Sequence, residues 1–545
     1  MTDNIYIGIT IGPIYDTLRL SSTPSALWAS SYLFSYAAKR ICDKIISQIS
    51  DDENLIKSPC IDGNISKGIG LFHDRIIFET NNPKSDIDTV NNIFDEVKNE
   101  IAFLFGDDDQ AITWIKNYLQ FHAVAFKCED EKPISESAKF LDGIELERTF
   151  PEKSKANPFT ELFESAKRNT LIRKNIKDGL SLNTWPFADF KNYTRDKKGG
   201  IIYKTTEDVY KTDNNGNRIP EQETMPDMAT ITGRHHETDT KVKTRQKTYS
   251  YYAIVQADGD KMGIHLDEPD FSQKLLRYCS KSSEEIQNYG GITIYAGGDD
   301  LLFIAPLWEQ PNNDDKLERK NIFELLNALK LLFQENFKGE NAPTISFGVA
   351  VRYYKYPLYE AFDEANELLF EKAKLKRDSL AVSLRKHSGQ SIEFIFEQCS
   401  KSADETAWTR ISKMITEKKD GNFLKSVSTK IWQFQPLFEH ALSLKNLSAV
   451  KNVFTNTFDK TIHAQNKDYL NEVAELLNSF DASPVREIGG IAKLEKEIER
   501  SKNDKLKINS LTEETKKLYT LDALLRFVKL FSEVGEEEHQ NEFEN

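Results

Sequence analysis

Apolar residues along this chain keep two rhythms, and each change of rhythm marks a new element. Short runs rich in β-branched residues between turn formers predict strands, and apolar spacing near 3.6 predicts helices. From the N-terminus these rhythms predict a strand at Ile5–Ile11, a helix over Pro24–Ser50, a hairpin at Gly68–Glu79, a helix at Ile87–Phe105 and a strand at Tyr118–Lys127. A strand, helix, hairpin, helix, strand order of this kind suits a ferredoxin-like unit. It returns between Thr248 and Phe396: a strand from Tyr251 to Ala257, helical pattern from Phe271, a hairpin over Ile292–Pro306, a helix over Ile322–Phe337, a strand at Thr344–Arg352 and a helix from Leu358 to Lys376. In the helix over Ile322–Phe337, Phe323, Leu325, Leu326, Leu329, Leu332 and Phe333 mark a buried face. The repetition predicts an internal duplication.

The remaining segments are less regular. Helical pattern at Glu136–Leu141 and Pro158–Ile176, the aromatic stretch Trp185–Phe190 and polar spans at Lys197–Gly200, Asp213–Asn217 and Glu237–Lys247 predict a small domain ending in a linker. Beyond Glu397, helical pattern at Ala407–Glu417, Phe423–Leu442, Leu470–Asn478 and Thr520–Val534 predicts an all-helical domain, with Trp408, Trp432, Phe434 and Phe438 in its core. A charged stretch at Lys493–Lys517 reads as helical or loose, and the acidic tail Glu536–Asn545 as disordered. The expected class is α+β: a ferredoxin-like domain over 1–128, a small domain over 129–248, a second ferredoxin-like domain over 249–396 and a helical domain over 397–545.

Composition narrows the functional class. At 545 residues the chain has room for more than one hydrophobic core. Cys42, Cys60, Cys128, Cys279 and Cys399 are scattered with no Cys-x-x-Cys pair, which argues against a zinc ribbon or disulfide framework and for a reducing cytoplasm. No run of about 18 apolar residues occurs, and Met1-Thr-Asp-Asn leads into a strand without a cleavable segment. A soluble cytoplasmic protein with no membrane partner is expected. The net charge of −14 argues against a chain that wraps nucleic acid alone.

Candidate chemistry lies in two acidic elements. The hairpin over Ile292–Pro306 has Gly297-Gly298-Asp299-Asp300 at its tip. Two aspartates there read equally well as turn formers. A second element changes that balance, because the strand from Tyr251 runs straight into Asp258-Gly259-Asp260-Lys261-Met262-Gly263. With that strand beside the hairpin, Asp258 comes level with Asp299 and Asp300, and like charges so placed need hard cations such as Mg²⁺ or Mn²⁺. Two such ions can stabilise the attacking and leaving oxygens of phosphoryl or nucleotidyl transfer. Asp258, Asp299 and Asp300 are therefore the expected catalytic residues and metal ligands. Gly259, Asp260, Lys261, Gly263, Gly297 and Gly298 are the expected nucleotide contacts, since glycine lets backbone amides approach a phosphate. Asp260 has two readings, a general base or a brace of its loop. The first hairpin tip, Phe72-His73-Asp74-Arg75, lacks the glycine-carboxylate pattern and reads as a turn without metal chemistry.

Taken together, the Asp-Gly-Asp-Lys-Met-Gly strand end, the Gly-Gly-Asp-Asp hairpin and Thr344-Ile-Ser-Phe-Gly-Val-Ala-Val351 resemble the palm of nucleotide cyclases and polymerases. The resemblance is closer still to the large Cas-ten subunit of type III CRISPR effector complexes, in its Cmr (type III-B) form. Ile9-Thr-Ile-Gly-Pro13 and Leu27-Trp-Ala-Ser-Ser-Tyr-Leu33 are similar to that family's opening segment, and the motifs span residues 5–80 and 250–390. The resemblance implies ATP as substrate, other subunits of the complex as partners, and crRNA and target RNA reached mainly through them. It further implies a nucleotide pocket shared by the two palms, with Gly12-Pro13 as a wall or a simple turn, and a C-terminal domain that touches small subunits. Cyclase-type palms have a lysine near this point that contacts the triphosphate, which the resemblance implies for Lys374, although a cation there also complements a helix dipole. Two family features are not expected. A palm-like unit beginning at residue 5 leaves no room for an N-terminal His-Asp nuclease domain, and His235-His236 with no cysteine between Cys128 and Cys279 make a poor zinc site.

The function these residues and the resemblance imply is a signalling nucleotidyltransferase of an antiviral RNA-guided complex. A ribose hydroxyl would attack the α-phosphorus of ATP when target RNA is bound. Either a cyclic oligoadenylate or AMP joined to S-adenosylmethionine would result, and the sequence leaves both open. The competing readings are a non-catalytic scaffold of the same complex and a diguanylate-cyclase-like enzyme, which usually has Glu-Phe where this chain has Asp300-Leu301.

Overall fold

The computed structural model describes residues 4–50, 52, 55–61, 72–103, 109–128, 132–146, 244–268, 270–309, 319–339, 341–397, 407–417, 419–458, 464–480 and 512–536, with short pieces (193–195, 201–203, 210–212, 218–220 and 228–232) between 193 and 232. The expected helix at 158–176, the aromatic stretch 185–190, the polar spans 197–200 and 213–217, His235-His236 and the tail 537–545 lie outside these residues, as does most of the charged stretch 493–517.

The first unit runs β1 (Asn4–Gly12), α1 (Ile14–Leu18), α2 (Pro24–Gln48), β2 (Ile56–Ser58), β3 (Arg75–Thr80), α3 (Pro83–Phe103), α4 (Asp109–Tyr118), β4 (Gln120–Cys128) and α5 (Pro133–Glu145). Its sheet has the order β2-β3-β1-β4 and is antiparallel throughout. Ile7, Ile9 and Ile11 point from β1 into a core shared with Trp28 and Phe34 of α2 and Ile93 and Val97 of α3. Helix α2 starts where the Thr23 side chain accepts a hydrogen bond from Ala26 N, with Pro24 in the first turn, where its missing N–H costs nothing. The expected hairpin at Gly68–Glu79 is corrected: the partner of β3 is β2, with Ile56 opposite Phe78, so Phe72–Asp74 leads into β3 instead of forming a tight tip. Helix α4 was not anticipated; the acidic run ahead of it reads as loop, yet Asp109 suits the positive end of a helix.

Between the two units come the small hairpins β5–β6 (Tyr193–Arg195, Ile201–Tyr203) and β7–β8 (Tyr210–Thr212, Arg218–Pro220), the short helix α6 (Met228–Ile231) and strand β9 (Thr244–Gln246). The second unit follows as β10 (Tyr251–Asp260), α7 (Phe271–Tyr289), β11 (Ile292–Gly297), β12 (Asp300–Pro306), α8 (Ile322–Asn336), β13 (Thr344–Tyr353), α9 (Leu358–Glu367), β14 (Ser379–Arg385) and β15 (Ser391–Glu397). Its six strands are ordered β11-β12-β10-β13-β14-β15, so the first four repeat the order of the first sheet. Helix α8 opens with a reciprocal cap, Asn321 accepting from Phe323 N while Glu324 accepts from Asn321 N. β14 joins β13 in parallel through α9, which widens into a π-helical stretch over Leu368–Ala373.

Central strand β10 is buried on both faces, as a near-continuous apolar run requires. Tyr251, Ala253, Val255 and Ala257 face one core; Tyr252 and Ile254 face the core of the first unit. The sheet is thus the layer on which everything else packs.

The remaining helices are α10 (Ala407–Thr416), α11 (Gly421–Gln433), α12 (Gln435–Ser443), α13 (Leu447–Thr457), α14 (Lys467–Ser479) and α15 (Glu513–Ser532), followed by strand β16 (Val534–Glu536). The expected all-helical end is corrected on this point, because β16 pairs with β9. The expected helix over Phe423–Leu442 breaks at Phe434, since Pro436 cannot donate into a continuing helix. Phe434 is correspondingly exposed, while Trp408 and Phe438 are buried. Edge-to-face contacts of Trp408 with Phe347 and Phe396, and of Phe527 with Phe394, seat α10 and α15 on the second sheet, and Phe527 also meets Phe323 of α8. Among the described residues no helix is long and apolar enough to cross a membrane.

One packing contact has a sharp consequence. A side chain at Gly348 of β13 would lie 2.4 Å from Ala365 O and 2.5 Å from Leu369 N, both backbone atoms of the helix that crosses it. Gly348→Ala should cost about 3 kcal/mol and lower the melting temperature by several degrees, read by thermal unfolding; an unchanged melting point would show that this helix can retreat freely.

Candidate active site

Strand β10 pairs with β12 so that Ala257 faces Leu301, which brings Asp258 level with Asp300 at the sheet end. The turn before β12 is tight, and Gly298 takes the left-handed conformation at φ +63° that favours glycine. A side chain at Gly259 would lie 2.9 Å from Asp299 Cβ and 2.7 Å from Met262, so glycine there lets Asp299 fold against the strand end. Asp299 is hydrogen-bonded to Asp258, and burial followed by the Asp258 charge pushes its carboxyl up to about 7. Asp300 is pushed in the same direction, first by burial and then by Asp299, Asp258 and Asp74. Its side chain opens onto a cavity, so it is surface-accessible although protein surrounds it. The Cys279 thiol supports the turn from below, donating to Gly298 O at 3.2 Å.

The compensating cation comes from Lys374, just past the π-helical stretch. Its ammonium lies 2.5 Å from Asp258 Oδ2 and 3.2 Å from Asp260 Oδ1, and it donates to Gly259 O at 2.5 Å. Asp260 shares the Lys374 ammonium with Asp258 but is otherwise engaged with β13 and the start of β14. It is 2% exposed and accepts hydrogen bonds from Thr344 Oγ1 at 2.8 Å, Ser346 Oγ at 2.9 Å and Asp378 N at 2.8 Å. A carboxylate so occupied braces its loop and has no lone pair directed at a substrate. Lys261 and Gly263 are exposed on the turn after Asp260, and nothing lies within 4 Å of a side chain placed at Gly263. At Gly297 the neighbour is the Tyr295 side chain, whose hydroxyl would stand 2.5 Å from an added Cβ.

Beside Asp300 lies a cavity of about 250 Å³ walled by both units. Tyr15, Phe34 and Asp74 come from the first; Gln256, Tyr295 and Asn366 come from the second. Ile14 and Tyr15 line it where Gly12-Pro13 had been expected to. The two walls are tied together by Asp363, which accepts from Tyr15 Oη at 3.0 Å and pairs with Arg19 at 2.7 Å. Cys60 N adds a bond to Ser272 Oγ at 2.9 Å. His73-Asp74, read from sequence as a plain turn, packs against the acidic tip. His73 Cδ2 is 3.8 Å from the place a Gly298 side chain would occupy, and burial lowers its imidazole to about 4, so it is neutral at pH 7. Burial pushes Asp74 up to about 6. Sequence reasoning missed Asp74, Gln256, Tyr295 and Asn366 because they meet only through the approach of the two sheets.

Among the described residues no three carboxylate, imidazole or thiol side chains already surround one cation position. The donors that do converge are nonetheless of the right kind. Mg²⁺ commonly takes one or two carboxylates and completes its shell with water and phosphate. Asp258, Asp299 and the Gly259 carbonyl supply such hard oxygens, and a cationic group already sits among them.

A raised carboxyl pKa has a direct stability signature. Asp299 is harder to ionise in the folded chain than in the unfolded one, so its contribution falls as pH rises from about 4 through about 7. Without divalent ions, Asp299→Asn should therefore melt about 2–4 °C above the unsubstituted chain at pH 8, with the gap narrowing toward pH 5. A gap independent of pH would contradict the crowding of these carboxylates.

Residues 251–381 match the family described as Cas10/Cmr2, second palm domain, and residues 6–106 match CRISPR-associated protein Cmr2, N-terminal. The CRISPR system Cmr subunit Cmr2 of Pyrococcus furiosus is 31% identical over 176 residues, which cover 26% of this chain and 19% of that protein. Among solved structures, a Csm1–Csm4 cassette in complex with AMPPNP aligns with a TM-score of 0.44 at 12% identity, covering 97% of this chain and 70% of that one. The apo state of a type III-B Cmr-beta aligns with a TM-score of 0.44 at 11% identity, covering 96% and 81%. Its N-terminal segment and its acidic palm thus each match a model of the Cas10/Cmr2 family of CRISPR large subunits.

Proposed function

We propose that this chain is the nucleotidyltransferase subunit of an RNA-guided type III CRISPR complex, using ATP to make a nucleotide second messenger in the cytoplasm. The observation that carries the reading is the convergence of Asp258, Asp299 and Asp300, countered by Lys374, beside a cavity walled by both palms. Asp258, Asp299 and the Gly259 carbonyl would hold divalent ions, Mg²⁺ or Mn²⁺, whose bound charge neutralises the triphosphate. Lys374, then released from Asp258, is free to bind phosphate oxygens. Gly297 and Gly298 leave the approach to the triphosphate open, with Lys261 and Gly263 exposed on the neighbouring turn. The aromatic and aliphatic cavity wall receives the nucleoside.

In this reaction a ribose hydroxyl oxygen forms a bond to the α-phosphorus and gives its proton up to solvent, the bond from that phosphorus to the bridging oxygen breaks, and pyrophosphate leaves with the electron pair. Assembly follows the relatives named above: this chain works beside other subunits of a type III-B complex, with crRNA and target RNA reached mainly through them. The product is a cyclic oligoadenylate or AMP joined to S-adenosylmethionine. Carboxylates of Asp74 from the first unit and Asp300 from the second both line the cavity and favour an acceptor with positive charge, as S-adenosylmethionine has.

In the assembled complex with target RNA, ATP and Mg²⁺, Asp258→Ala and Asp299→Ala should each lower pyrophosphate release about 100-fold or more while assembly survives. Lys374→Met should weaken ATP use while preserving assembly. Release that persists in the aspartate variants would reject the site, and no release from the unsubstituted complex would favour a scaffold.

A further inference from the structure

The Lys374 ammonium sits on the same oxygens that a divalent ion would take. It lies 2.5 Å from Asp258 Oδ2 and from Gly259 O, and 3.2 Å from Asp260 Oδ1. An ammonium has three N–H donors and no acceptor, so these contacts occupy it fully and leave nothing for a phosphate. Lysine and metal therefore compete for Asp258 and the Gly259 carbonyl. The backbone that delivers this side chain is strained. Ahead of Lys374 the helix opens into the π-helical stretch Leu368–Ala373, a feature that concentrates at functional sites. Just past it, Arg377 has φ +64° and ψ 162°, a region nearly restricted to glycine, and Asp378 follows at φ +40°. The Arg377 side chain is exposed, so its burial does not account for this conformation. The two ends of the turn do. Lys374 is bonded to Asp258 and Asp260, while the Asp378 amide donates to Asp260 Oδ2 at 2.8 Å. Leu375, Lys376 and Arg377 must close a loop between these contacts to one strand end. Releasing either end lets the turn relax, and with Leu375 and Arg377 exposed it has solvent to move into.

We propose that Lys374 is a built-in stopper: in the resting chain it holds the divalent-ion site shut, and strain at Arg377 favours its withdrawal when an ion arrives. This regulation rests on the nucleotidyltransfer site proposed above. A side chain that fills the site keeps the crowded carboxylates compensated while no ion is bound. Strain stored in the same turn lowers the free energy needed to remove it, because the resting state carries a penalty that the displaced state loses.

Equilibrium binding of Mn²⁺ alone to the full chain, read by loss of the free-ion electron paramagnetic resonance signal, tests the stopper without any turnover. Lys374→Met should bind Mn²⁺ about tenfold or more tighter than the unsubstituted chain, although the same substitution weakens ATP use. A lysine that merely supported the fold would on removal weaken both. Arg377→Ala removes a neighbouring charge and keeps the strain, whereas Arg377→Gly removes both. The glycine variant should therefore bind Mn²⁺ about threefold or more weaker than the alanine variant. Melting curves identify variants that fail to fold, and the Arg377 pair carries the test if Lys374→Met is among them. Affinity unchanged or lowered in folded Lys374→Met overturns the stopper, and equal affinity in the two Arg377 variants overturns the role of strain. Undetectable Mn²⁺ binding in every folded variant, Lys374→Met included, overturns the metal site itself together with both.

Discussion

Three carboxylates crowd one end of the second sheet, and the structure around them is arranged so that they can stay there. Strand pairing makes Asp258 and Asp300 neighbours, and the glycine turn folds Asp299 onto the same strand end. Repulsion at such separations is relieved only by protons, by cations or by both. Here the Lys374 ammonium supplies one positive charge, while burial first and the Asp258 charge second still hold the Asp299 carboxyl high. Asp260 contributes differently. Its bonds to Thr344, Ser346 and the Asp378 amide tie the end of β10 to β13 and to the start of β14, so the loop carrying Asp258 and Gly259 has a fixed base.

The first palm bears on this site although its own loop has no glycine-carboxylate tip. Asp363 links α9 to Tyr15 and Arg19, and the cavity between the sheets takes half its wall from each side. Duplication explains how one chain could supply both halves. Two units with the same strand order line one cavity, the second with acidic chemistry at its sheet end and the first with Phe34, Phe72 and Asp74 as a cover.

Much of the fold was legible because it is written in local rhythm. The α+β character and the repeated strand order follow from apolar periodicity, and Gly-Gly-Asp-Asp between two β-branched runs announces its hairpin. What could not be read depends on tertiary approach. The true partner of β3 is a three-residue strand too short to show alternation, and α4 hides behind an acidic run. His73-Asp74 looks like an ordinary turn until the second palm is set against it, and Gln256 looks like a stray polar residue in a buried strand until Asn366 meets it. Asp260, grouped with the nucleotide contacts by its motif, is seen to be a brace only once its hydrogen bonds are known.

The most direct measurement is a structure of the assembled complex with a non-hydrolysable ATP analogue and Mn²⁺, the ions located by their anomalous scattering. Manganese is expected on Asp258, Asp299 and the Gly259 carbonyl, with Lys374 moved from Asp258 onto phosphate oxygens and the base inside the cavity between the palms. Nucleotide bound elsewhere, or Lys374 still bonded to Asp258 with no metal beside it, would contradict a catalytic site at this acidic tip.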